Sequence, residues 1–469
     1  MFRQVAISCL LVALALPAAA RTRPRYGGTL KVEMEGDPWT RTGAQPGSLA
    51  RRLVFDSLTR IDADGAAAPA LAIRWTSEND DHRWQFWLRP GVHFQDGSAL
   101  TSAAVEESLT GSCGTSCPWT AVHAVGSTVV FTTDAPMPNL PELLAGDDFL
   151  IALAGPANSS VTMAMGPLIG PFIGTGAFQV EEFSNGALTL TANESSWEGR
   201  PFLDKIEIAG HKSIRDQVLD LSVGRADLIE VPAEQLRQAH EQHLTVIASP
   251  PVDLLALAVA DGGVLSNPNL RAAIALAVDR TAISNVIFQK QGEIAASLLP
   301  ASVTGYSFLF PADRDLNKAR ELRGGLTPPP ITLSTEGGAA MLLAAQRIAL
   351  NLREAGFNVQ VANAGAPQHA DIVLLRLTLA SNQPQAGLES LLRRVGVAVP
   401  VRENSPAGLF RVERDFLSTH TLIPLLYLPR AYAVSGRVRD LRLSHDGEPL
   451  RAALRSRIRN EGNVVRNPE

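Results

Sequence analysis

The chain is poor in aromatic residues, 6% of 469, and holds only four Tyr and three Cys. It has no long basic run. Its 42 Lys and Arg stand against 47 Asp and Glu, a formal net charge of −5, which argues against nucleic acid as a partner. Past residue 20 no stretch of 18 apolar residues occurs, so no second membrane-length segment is expected. The sequence also lacks G-x-S-x-G, H-E-x-x-H and C-x-x-C. GTGAF at 174–178 is too short for a phosphate loop, has no lysine, and reads as a turn. No repeat recurs at a period of about 20–50 residues. What remains is ordinary globular composition, 45% hydrophobic and 19% charged, unlike disordered, collagenous or coiled-coil chains. The length suits about two or three domains.

The first twenty residues carry a positive charge at Arg3, the apolar run ISCLLVALALP and a small-residue end, Ala18-Ala19-Ala20. That is the layout of a cleavable signal peptide, and the run is too short to span a bilayer. The mature chain is then expected to be exported and soluble. Cleavage would remove Arg3 and Cys9 and leave Cys113 and Cys117 in the loop SCGTSCP. In an oxidising compartment this pair can close a small disulfide; the alternative is a metal or redox site.

The pattern along the chain is mixed α/β. GGTLKVEME reads as a turn and a strand, and WQFWLRPGVHF as a strand ended by Pro90-Gly91. Thr101 can cap a helix over the following residues. Asn185-Gly186 between two alternating runs predicts a hairpin. IRDQVLDLSVGRADLIEVP reads as a helix stopped at Gly224 and then a short strand. VDLLALAVA reads as a buried strand or short helix. Asn267-Pro268 open one clear helix, and AAMLLAAQRIALNLREAGF forms another, stopped at Gly356. LIPLLYLPRAYAV reads as late strands, with a short helix expected over 448–459.

Candidate chemistry is sparse. His240 and His243 flank Glu241-Gln242, a spacing that can ligate metal but more simply marks a solvated helix face. Asp279 and Arg280 read as a charged helix end or an ion pair. Tyr427 and Tyr432 read as core. No recognisable acid–base pair emerges. A binding role fits better than an enzyme, and neither a metal nor a cofactor is expected.

Several segments together, in order, resemble the family 5 extracellular solute-binding proteins, receptors of peptide, nickel and opine ABC importers. They are GGTL, VFDSLTRID, LAIRWTSENDDHRWQFWLRPGVHFQDGSALTSAAVEESL, GTGAFQVEEFSNGALTLTANESSWEGRPFLDKIEI, VGRADLIEVP, NPNLRAAIALAVDRTAISNVIF and LIPLLYLPRAYAV. The resemblance implies a two-lobed periplasmic-binding-protein fold with a hinge and an extra subdomain on the first lobe. The implied organisation is 1–20 signal peptide, 21–50 first lobe, 51–168 extra subdomain, 169–255 first lobe again, 256–420 second lobe and 421–469 a return to the first lobe.

The same resemblance implies a periplasmic monomer that captures a small peptide or peptide-like ligand between the lobes and delivers it to an ABC permease in the inner membrane. A diverged sensor or scaffold is the alternative, and an exported hydrolase a more distant one. The strand after GGTL points to Met34, Glu35, Asp37 and Trp39 at the cleft edge. In peptide-binding members an Asp of the second lobe pairs with the ligand's amino terminus. The matching stretch here has no Asp at that place and offers Arg376, Thr378, Ser381, Asn382 and Gln383 instead. An ammonium buried without a carboxylate is costly, so free-amino peptides are in doubt. Arg376 suits an anion, or else a surface or hinge ion pair.

Overall fold

The computed structural model describes residues 26–39, 49–62, 65–113, 117–153, 173–305, 310–325, 329–335, 337–362, 370–379, 381–397, 405–439 and 441–449. Strand β1 (Thr29–Glu33) comes first, followed by a short helix, Leu49–Val54. β2 (Thr59–Ile61) and β3 (Ala67–Pro69) pair with each other. β4 (Ala72–Glu78), β5 (Arg83–Leu88), β6 (Ala121–Val125) and β7 (Thr128–Thr132) form an antiparallel sheet in the order β4-β5-β7-β6. The helix Ser102–Cys113 packs beside β6 and β7 and starts where Thr101 Oγ1 accepts from the Ala104 amide at 3.1 Å.

The large sheet takes the rest of the chain. β8 (Phe178–Ser184) and β9 (Ala187–Ala192) form the expected hairpin, with φ of 51° at Asn185 and 74° at Gly186. Two successive left-handed residues are what a two-residue turn needs to match strand twist. β10 (Lys205–Ala209) and β11 (Leu228–Glu230) flank β1, both parallel to it. β12 (Thr245–Val259) is the longest strand. β13 (Glu293–Ile294), β14 (Ile331–Thr335), β15 (Val359–Val361), β16 (Ile372–Thr378) and β17 (Leu422–Val434) follow. The sheet order is β15-β14-β16-β12-β17-β11-β1-β10-β9-β8, with β13 added on β17.

The burial pattern divides the molecule. One core gathers Leu30, Val32, Phe178, Leu190, Ile206, Leu228 and Val434 from distant parts of the sequence. A second draws on Leu58, Phe86, Phe131 and Phe149, all between residues 58 and 151. Two more, on opposite faces of β12, β16 and β17, hold residues such as Leu255, Ile274, Ile348 and Leu374 on one side and Leu254, Leu377, Leu391 and Tyr427 on the other. The helix Pro268–Ala277 starts as its sequence suggests: Asn267 accepts from the Asn269 amide, and Pro268 fills the first turn, where no N–H is needed. The helix Ala339–Glu354 ends before Gly356, which has a φ of 90°.

The packing adds detail at three places that the sequence singled out. The helix Leu49–Val54 buries Leu49, Ala50, Leu53 and Val54 in the first core. A boundary at residue 51 therefore cuts through it. Gly174 and Gly176 lie against this helix end, where an added Cβ would meet the Val54 carbonyl at 2.2 Å and the Leu53 carbonyl at 2.4 Å. GTGAF is thus a close-approach segment, which its glycines permit. At the other boundary, Leu422–Leu428 still pack with the cores beyond residue 250, and the chain crosses back only around Pro429-Arg430.

Cys117 is disulfide-bonded. The Cys113 side chain, the signal-peptide residues 1–20 and residues 450–459 of the expected late helix lie outside the described residues. No helix among the described residues is long and apolar enough to cross a membrane.

Candidate functional site

β12 and β17 are the two strands that run between the first core and those beyond residue 250. Their pairing is interrupted midway. The register shifts on both sides of Pro251, which sits opposite Pro429. Neither proline has an N–H to donate, so the ladder is weakest at the crossing.

A cluster of charges surrounds this break. Asp253, 1% exposed, lies opposite Thr378 in the sheet. Its carboxylate accepts from Thr378 Oγ1 at 2.7 Å and from Arg430 Nε at 3.0 and 3.1 Å. Arg430 Nη2 donates to Thr378 Oγ1 at 2.8 Å, Nη1 donates to Glu448, and the Arg430 amide donates to Ser249 Oγ at 3.0 Å. Burial alone would lower the Arg430 pKa, but Asp253 and Glu448 outweigh it and hold the guanidinium charged. The Tyr432 hydroxyl donates to Glu448 Oε2 at 3.3 Å. Arg52 closes the far side, gripping Asp147 at 2.7 and 2.9 Å and also bonding Asp446. Burial pushes the Asp446 carboxyl up, yet Arg52 holds it far below the usual carboxylate range.

Beside this satisfied network lies a less satisfied one. Arg376 Nη1 is 4.0 Å from Asp253, while its Nε is enclosed and has no hydrogen-bond partner among the described residues. Glu230, opposite Tyr432 on β11, is pushed up to about 7, first by burial and then by Glu448, despite Arg430 and Arg376. Glu234 is raised mainly by burial, with Arg376 and Glu35 as its charged neighbours, and its Oε2 is enclosed without a hydrogen-bond partner among the described residues. The exposed Glu35 reaches across to the start of the helix Ala339–Glu354: a Cβ on Gly338, the residue capping that helix, would lie 3.2 Å from Glu35 Oε2. A carboxylate there faces the positive end of the helix dipole.

The sequence candidates scatter. Glu35, Arg376 and Thr378 come together at the crossing. Met34 and Trp39, each 6% exposed, belong to the first core, and Trp39 packs 5.8 Å from Phe55. Asp37 accepts from the Trp39 amide at 2.8 Å and lies 3.7 Å from His211 Nε2. The Asn382 side chain occupies the space beside Gly65, between β2 and β3. Ser381 Oγ accepts from the Gln383 amide.

Other flagged groups serve local structure. The helix Leu236–Glu241 ends before His243, and His240 and His243 are exposed. Asp279 caps the next turn, accepting from the Ala282 amide at 2.8 Å. Arg280, buried and lowered to about 10 by desolvation, donates to the Pro424 carbonyl at 2.9 Å. Tyr427 is core, 2% exposed.

Sequence reasoning missed Asp253, Arg430, Glu230, Glu234 and Glu448. A signal existed for the first three: each is the lone charge, or nearly so, in an apolar strand, VDLLALAVA, LIPLLYLPRAYAV and ADLIEVP. A charge inside such a strand needs a buried partner.

Residues 66–396 match the family described as bacterial extracellular solute-binding proteins, family 5 Middle. The chain belongs to this family. A probable di/tripeptide-binding protein 5 of Pseudomonas aeruginosa is 26% identical over 413 residues, 76% of each chain. The nickel-binding protein NikA of Staphylococcus aureus is 24% identical over 251 residues, 52% of this chain and 49% of that one. Solved structures agree in fold. NikA from S. aureus, in complex with Ni(L-His)2, matches with a TM-score of 0.76 at 18% identity, covering 92% of this chain and all of that one. The oligopeptide-binding protein AppA of Bacillus subtilis, in complex with a nonapeptide, gives 0.75 at 17% identity over 93% of this chain and all of that one. The fold is the two-lobed binding-protein fold. This family 5 protein is a solute-binding protein of ABC-importer type and not an enzyme.

Proposed function

We propose that this chain is the exported, monomeric receptor of a peptide/nickel-type ABC importer. It captures a small peptide or peptide-like solute between its lobes and hands it to an inner-membrane permease. The first lobe takes residues to about 56, then 173–249 and 430–449. The extra subdomain takes 57–153, and the second lobe 252–428. The signal-peptide pattern of residues 1–20 and the extracellular character of the family support a periplasmic location.

The observation that carries the reading is the paired crossing of β12 and β17 at prolines, flanked by charges from both lobes. Two adjacent strands broken at one level make a hinge about which lobes can close on a ligand. Ligand binding would shift the population toward the closed form.

The test is a thermal-shift screen of the signal-free protein against di- to pentapeptides, N-blocked peptides, opines, oligosaccharides and nickel chelates. A true ligand at about 100 times its Kd stabilises by about 2.7 kcal/mol. No shift with any class would sink the receptor reading.

A further inference from the structure

The crossing holds two enclosed polar atoms of opposite kind with unmet hydrogen-bonding capacity: Arg376 Nε, a donor, and Glu234 Oε2, an acceptor. Arg376 turns Nη1 toward Asp253, which leaves its Nε edge as the free side of the guanidinium fork. Around Glu234 the negative charge is in excess. Arg430 is taken by Asp253 and Glu448, and Arg376 is shared among Asp253, Glu230 and Glu234. Enclosed atoms of this kind cost free energy unless something meets them.

Resting on the receptor reading above, we infer that Glu234 and Glu230 of the first lobe seat a ligand ammonium or guanidinium, and that the Nε edge of Arg376 in the second lobe seats a carboxylate or carbonyl of the same ligand. The cleft thus takes a zwitterion, and its positive end is read from the first lobe. The second-lobe Asp missing from the stretch around Arg376 is then not a loss of cation binding, because the carboxylates have moved across the hinge. Closure brings the two halves of the seat together, so neither lobe alone satisfies the ligand. Glu35, beside the helix start at Gly338, adds a further negative charge next to Glu230 and Glu234.

The groups facing Glu230 are Arg430 and Tyr432 from β17, Arg376 from β16, Glu448 from the late segment, and Glu35 after β1. With Glu230 at about 7, a bound cation favours its ionised form, so binding strengthens as pH rises toward that value.

The experiment uses the signal-free protein and matched triplets: di- and tripeptides and amino-acid opines, each beside its N-acetyl and its C-terminal amide form. Calorimetry should give a Kd at least about tenfold tighter for the doubly charged member of a binding triplet. Glu234→Gln and Arg376→Gln should each weaken that Kd at least about tenfold while leaving the unliganded Tm nearly unchanged. Wild-type binding should be several-fold weaker at about pH 6 than at about pH 7.5, and Glu230→Gln should remove that difference. Equal binding of N-acetylated forms, or unchanged binding in the two variants, overturns the charge assignment and leaves the receptor reading standing. No binding by any compound overturns both.

Discussion

Arg430 and Arg376 sit on strands that both pair with β12, and both approach Asp253, yet they are handled differently. Arg430 is 12% exposed and meets an acceptor at each of its three guanidinium nitrogens. Arg376 is 24% exposed, stands 4.0 Å from Asp253, and leaves an enclosed Nε unmet. The carboxylates show the same split: Asp253 is fully engaged, while burial and then Glu448 hold Glu230 near 7 despite Arg430 and Arg376. A buried charge that is completely paired fixes the geometry of the crossing. One that is incompletely paired keeps its capacity for an incoming group.

Substitutions can break this comparison, beginning with the largest effect. Arg430→Ala strands Asp253 and Glu448 in the interior and should cost about 3–5 kcal/mol in denaturant unfolding. Glu230→Gln should act through pH. In the folded chain Glu230 titrates near 7 rather than 4.5, so the folded form binds the extra proton between those values. Its contribution to stability is full below about 4.5 and is lost as pH rises to about 7. The variant should remove that decline, of the order of 2 kcal/mol once discounted for partial exposure, as read from Tm across the range.

Thr378→Val removes a donor to Asp253 and an acceptor from Arg430 and should cost about 1–2 kcal/mol. Arg376→Gln should change stability by less than about 1 kcal/mol, since its ion pair is long and partly exposed. A loss as large as that of Arg430→Ala would erase the distinction between the two arginines.

Most of the fold was legible because local signals agreed with the tertiary outcome. Asn185-Gly186 gave the hairpin, Asn267-Pro268 the helix start, and the ordered family segments the lobes. The site was less legible. Met34 lies between two glutamates and Trp39 follows Pro38, and nothing local tells a core face from a cleft face; the first core takes both, Trp39 against Phe55. Glu230, Asp253 and Arg430 come from positions up to 200 residues apart. Only the tertiary fold makes them neighbours, though a lone charge in an apolar strand was a usable clue. The break at Pro250-Pro251 and Pro429 was visible as prolines, but its meaning required knowing that the two strands pair.

The late position of β17 has a consequence for how the protein folds. Its first half packs in the cores beyond residue 250, and its second half pairs with β11 and the start of β12 beside the first core. Neither part of the sheet is complete until Leu422–Val434 has joined it. Until it docks, β11 and β12 keep open edges with which another strand can pair. One segment therefore locks both parts of the sheet, and a molecule that has not yet docked it leaves both edges open to another strand.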